Sequence, residues 1–72
     1  MSVKLGMTGG QIRELVYRTG MTTRRFAVFC GITHAMLFRW FDKGVRDLTS
    51  DGIRWRITNN FSSRILEGLD EI

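Results

Sequence analysis

The sequence predicts a small all-α domain of four to five helices. Three observations carry that expectation. The chain has 72 residues, 43% of them hydrophobic, and no proline, a composition of an ordered helical domain and not of a disordered one. Apolar residues recur at helical spacing from Ile12 onward. Threonines and glycines then punctuate the pattern: Thr8, Thr22 and Thr33 stand where helices would start, and Gly20, Gly31 and Gly44 where they would stop.

Taken in order, residues 1–7 read as a flexible arm, with Lys4 able to touch a phosphate or simply mobile. Thr8-Gly9-Gly10-Gln11 has capping-box spacing, and Ile12, Leu15, Val16 and Thr19 then form one stripe. Arg13, Glu14 and Arg18 fall on the other side. Thr22 caps a second helix, Thr23 to Cys30, with Phe26, Ala27 and Cys30 inward. Gly31 ends it, Ile32 plugs the turn, and Thr33 caps a third helix from His34 to about Asp42. Leu37, Trp40 and Phe41 are its inward positions, while His34, Ala35, Phe38 and Arg39 share another face. Lys43-Gly44 closes it. Residues 22–44 thus form a pair of short helices around a tight turn, the stretch the chain is organised around.

Residues 45–72 form a packing and dimerisation segment that allows two readings. Ile53-Arg54-Trp55-Arg56-Ile57 alternates like a strand, and Ser50-Asp51-Gly52 would make a β-hairpin across 45–57. The favoured reading is a fourth helix capped by Ser50 or Asp51 and stopped by Asn59-Asn60, with an Asn in the left-handed region. Ser62 then caps a fifth helix carrying Ile65, Leu66 and Leu69. Trp55, Phe61, Leu66 and Leu69 exceed what a small core needs, so they are candidates for a dimer interface as well as for internal packing.

The charge is uneven. Residues 1–46 hold eight Lys/Arg against Glu14 and Asp42, net +6, and residues 47–72 hold three Arg against five acids, net −2, which sum to the chain's +4. A basic front suits a polyanion, or simply a solvated face. Arg24 and Arg25 sit in the first turn of a helix, beside the positive end of its dipole. Either both point into water, or an anion sits there, since a helix start with free N–H groups and two guanidinium groups binds phosphate well.

Other chemistries have little to work with. One histidine, one cysteine, no glycine-rich phosphate loop and no paired carboxylates argue against an enzyme, a metal site or a cofactor. The single Cys30 excludes an internal disulfide and fits a reducing cytoplasm. No stretch approaches the ~20 apolar residues of a membrane span, and the start is too polar for a signal peptide. A cytoplasmic protein without a small-molecule ligand is expected.

Gln11 to Gly44 resembles the helix-turn-helix of the Cro/XRE repressors of phages and bacteria. Met21-Thr22-Thr23 is similar to that family's apolar–Ser–Gln opening, Phe26-Ala27 to its apolar–Ala pair, Gly31-Ile32-Thr33 to its Gly–Val–Ser turn, and Arg39-Trp40 to its Arg–Trp. Thr23 departs from the usual Gln, the Arg24-Arg25 pair from commonly acidic residues, and Phe41 from a frequent Glu. The resemblance implies a lambda-repressor-like fold and a transcriptional regulator on double-stranded DNA. It would repress as a homodimer on an inverted repeat, with half-sites roughly 34–36 Å apart. Helix 34–42 would enter the major groove, with His34, Ala35, Phe38 and Arg39 reading bases. Thr22, Thr23, Arg24, Arg25, Thr33, Lys43 and Arg46 would grip phosphate. Phe38 suits either thymine methyls or the core. The alternative is a protein-interaction subunit, such as an antitoxin or an excisionase-like recombination factor.

Overall fold

The computed structural model describes residues 5–72, Leu5 by its backbone only. It is mostly helical. Strand β1 (Leu5–Met7) leads to α1 (Gly9–Thr19), α2 (Thr23–Cys30) and α3 (His34–Lys43). Strand β2 (Val45–Arg46) precedes the long α4 (Asp47–Asn60), and two 3₁₀ turns, Ser63–Leu66 and Leu69–Glu71, finish the chain.

The three threonine caps form as their spacing requires. Each side chain accepts from the backbone N–H three residues on: Thr8 from Gln11 at 3.1 Å, Thr22 from Arg25 at 3.2 Å and Thr33 from Met36 at 3.1 Å. Gln11 completes the box by accepting from the Thr8 N–H at 2.8 Å. Gly20 and Gly31 end α1 and α2 in the left-handed region, at φ 73° and 72°, where a Cβ would be strained.

The helices enclose one core. Ile12, Leu15, Phe26, Leu37, Ile57 and Leu69 are fully buried, and Met7, Ala27, Val45 and Ile53 nearly so. Each such large apolar side chain contributes about 1.5–3 kcal/mol. Among the described residues no buried side-chain polar atom lacks a hydrogen-bond partner, and no helix is long and apolar enough to cross a membrane.

Several expectations need correction. Residues 5–7 are not part of an arm: β1 pairs antiparallel with β2, Met7 opposite Val45 and Leu5 opposite Arg46, and Met7 is 1% exposed. The arm's first four residues, with Lys4, lie outside the described residues. Of the two readings of 45–57 the favoured helix forms and the hairpin does not, because Ile53 and Ile57 reach the core from one face of α4, one turn apart. That helix starts at Asp47, with Arg46 at the cap position, not at Ser50 or Asp51. It stops without a left-handed Asn; the Asn59 and Asn60 side chains instead donate to the Trp55 and Arg56 carbonyls, each at 2.8 Å.

The fifth helix is replaced by the two 3₁₀ turns. An α-helix there would give the Ile65 carbonyl to the amide four residues on. Arg18 takes it instead, donating from Nη1 to the Ile65 and Glu67 carbonyls at 2.9 and 2.6 Å. Gln11 Nε2 donates to the Leu69 carbonyl at 3.2 Å, and Gly68 turns the chain at φ 69°. The tail is therefore held to α1 through its carbonyls. Leu69 enters the core at 0% exposure, so it is not a dimer-interface residue.

Candidate nucleic-acid interface

The pair α2–α3 is built around Gly31. Its N–H bonds the Val28 carbonyl at 3.0 Å, and the next N–H, of Ile32, bonds the Ala27 carbonyl at 2.9 Å. This closes α2 and turns the chain into the Thr33 cap. Phe26 and Ala27 from α2 and Leu37 from α3 are buried between the elements. With those positions inward, Ala35, Phe38 and Arg39 are left exposed on α3. Met36 joins them at 45% exposure, a surface residue that periodicity alone did not single out.

His34 is not free like its neighbours. Its Nε2 lies 2.9 Å from the Thr23 hydroxyl, a hydrogen bond between the first turns of α3 and α2. The ring also packs edge-on to Phe38, centroids 4.8 Å apart, and Phe38 packs edge-on to Phe41 at 5.7 Å. Thr23 and His34, expected to contact phosphate and base respectively, thus meet in a hydrogen bond that joins the two helices. Phe38 answers the choice between core and surface with both: it packs edge-on against two rings and remains 50% exposed.

The cationic residues gather in two places. Arg39, Lys43 and Arg46 line one shallow groove of ≈ 200 Å³ together with Met36 and Trp40. Thr22, Arg24 and Arg25 line a larger groove of ≈ 860 Å³ beside the start of α2, with Met21, Val28, Phe29 and Phe61. Arg24 and Arg25 are both exposed. The first turns of α1, α2 and α3 carry no acidic residue, and α4 alone among the α-helices has one, Asp47. The positive helix ends of α2 and α3 therefore add to the arginines without local compensation. The Thr22 cap satisfies only the Arg25 N–H, which leaves the first N–H groups of α2 outward.

A further cation belongs to this surface. Arg13, on α1, lies over the Phe41 ring, 4.9 Å from its centroid. Sequence spacing could not find it, because the partner ring is on another helix. Cys30 offers no reactive group: burial pushes its thiol up to about 11, and the nearby positive charge of Arg56 only partly opposes this. Among the described residues no group of three or more His, Cys, Asp or Glu could hold a metal ion.

The expected dimer residues separate. Trp55 is 66% exposed on α4, while Phe61 is 43% exposed and packs edge-on to Phe29 at 5.7 Å. Leu66 is half-buried against the core. Searches for similar proteins match the chain to no protein-family model, no curated protein and no solved structure.

Proposed function

We propose that the chain is a sequence-specific regulator of the Cro/XRE helix-turn-helix kind, acting on double-stranded DNA as a homodimer, with α3 as the helix that enters the major groove. The observation that carries this reading is the exposed face of α3, Ala35, Phe38 and Arg39, with Arg39, Lys43 and Arg46 along one groove beside it and Arg24 and Arg25 exposed at the start of α2. A short helix fits the major groove, which is about 12 Å wide. Arg39 would bond a guanine edge in bidentate fashion, and Ala35 and Phe38 would meet thymine methyls. Arg24, Arg25, Lys43 and Arg46 would hold phosphates and set the register. His34 and Thr23 would position α3 by bonding each other.

A random duplex library selected for binding tests the reading. Enrichment of an inverted repeat supports it, and absence of any enriched sequence overturns it. Two variants test the roles. Arg39→Ala should relax specificity at one base pair, by about 1–3 kcal/mol. Arg25→Ala should weaken all sequences alike and flatten the salt dependence. Equal losses on selected and random DNA for both variants would refute the assignment.

The second reading, a protein-interaction subunit such as an antitoxin or recombination factor, is favoured by the larger groove. There the exposed Val28 and Phe61 lie beside Arg24 and Arg25. If Phe61→Ser leaves DNA affinity intact but abolishes a function in the cell, this second reading gains.

A further inference from the structure

The outer face of α4 carries three features that nothing inside the chain explains. Leu48 is 85% exposed and Trp55 66%. They are seven residues apart, two helical turns, and so lie on one face. Between them on that face is Gly52, one turn from each. Glycine in a helix interior is destabilising relative to alanine. Most other glycines have a reason, Gly10 aside: at Gly6 a Cβ would lie 2.8 Å from the Arg46 carbonyl, and Gly20 and Gly31 have positive φ. Gly52 has neither, with nothing within 4 Å of the position its Cβ would take. A flat spot between two exposed apolar side chains is what a helix approaching from outside requires.

Building on the homodimer in the proposed function, we infer that α4 packs antiparallel against α4 of a second copy, about a two-fold axis at Gly52. The face is complementary to itself in that arrangement. The midpoint of Leu48 and Trp55 falls at Asp51-Gly52, so one axis sets each Leu48 on the other copy's Trp55, twice over. The midpoint of Asp51 and Arg54 falls at Gly52-Ile53, so nearly the same axis brings each Asp51 beside the other copy's Arg54, whose guanidinium already bonds Asp70 of its own chain at 3.1 Å and would take Asp51 as a second acceptor. Charge also runs along the helix, with Asp47 and Asp51 in its first half and Arg54 and Arg56 in its second. An antiparallel pair sets acid against base, whereas a parallel pair would set like on like. The Trp55 ring gives the contact its largest apolar area, and Gly52 lets the two backbones close around it.

Sedimentation of the 72-residue chain, from micromolar to millimolar, measures the pairing. Leu48→Glu and Trp55→Glu change exposed positions, so helix content by circular dichroism should hold while the dimer is lost. Asp51→Arg and Arg54→Asp should each weaken the dimer, and the double variant should restore it; loss of the Arg54–Asp70 bond is common to the single and double variants, so it cannot produce that rescue. In a Cys30→Ala background, Gly52→Cys should form a disulfide-linked dimer under mild oxidation, because the axis passes through that residue. A wild-type chain that stays monomeric, a dimer that survives both glutamate variants, or a double swap without rescue overturns the inference. The two readings fail separately. A monomer that still selects a half-site sinks the pairing alone, and a dimer of this geometry that selects no DNA sinks the DNA reading alone.

Discussion

Two adjacent glycines should respond to alanine with opposite signs. A Cβ on Gly9 would overlap the Phe41 carbonyl oxygen and lie 2.6 Å from its carbonyl carbon and 3.2 Å from its Cα. The obstacle is backbone, not the end of a flexible side chain, so α1 and α3 must move apart. Overpacking of this kind costs about 1–3 kcal/mol, and we expect the upper half of that range here. For a domain of this size 1 kcal/mol shifts Tm by about 4–8 °C, so Gly9→Ala should lower Tm by on the order of 10–20 °C. Gly10 is one residue on. Its Cβ would meet only the Thr8 hydroxyl oxygen at 3.9 Å, and replacing glycine there stiffens the unfolded chain. Gly10→Ala should raise Tm by a few degrees, on the order of 0.5 kcal/mol. Thermal unfolding by circular dichroism measures both. A Gly9→Ala protein melting within about 2 °C of the parent, or shifts of the same sign at both sites, would refute the close approach of α1 to α3. Because that contact holds α3, Gly9→Ala should also lose discrimination between selected and random DNA before it loses affinity for either.

Three further outcomes follow from single contacts. Gln11→Ala should destabilise more than Thr8→Ala by about 0.5–1.5 kcal/mol, because it also removes the bond to the Leu69 carbonyl, which then keeps only the Ile72 N–H, while the Thr8 change removes only a cap; urea titration of both proteins decides it, and equal losses would deny the Gln11–Leu69 bond. Arg18→Met should release the tail, seen as faster amide exchange across Ser63–Glu71 with α2 and α3 unchanged; uniform acceleration across the chain would argue that the tail is not a separate unit. Cys30 should react slowly with a thiol reagent. Its thiol is raised from 9.0 to about 11, so at a pH below both values the thiolate fraction is about a hundredfold lower than for an unperturbed cysteine. The rate should climb with pH until about 11, and a plateau near 9 would show that burial does not govern it.

Local rules recovered the first three helices because those rules act within a turn or two. A threonine three residues before an outward N–H makes a cap whatever the rest of the chain does. A glycine with positive φ ends a helix because no Cβ resists it. The inward set Ile12, Leu15, Val16, Phe26, Ala27 and Leu37 follows from the same short spacings, and the exposed face Ala35, Phe38 and Arg39 is its complement. Site residues were harder. The Thr23–His34 bond spans eleven residues and the Arg13–Phe41 contact joins two helices, so neither leaves a mark in any local pattern.

What the sequence determined by itself, then, is the run from Thr8 to Gly44: its caps, its stops and its fully buried positions, while Cys30, Trp40 and Phe41, expected inward, are only partly buried. Only the tertiary structure decided the two ends. Leu5–Met7 becomes a strand because β2 offers it a partner across the fold. The stretch after Asn60 fails to become an α-helix because Arg18 and Gln11, 47 to 58 residues earlier, claim the Ile65, Glu67 and Leu69 carbonyls. A short helix is worth little on its own, since its nucleus is costly and few bonds follow it. Two side-chain donors and a buried Leu69 outweigh it, and that contest takes place between elements that local spacing does not connect.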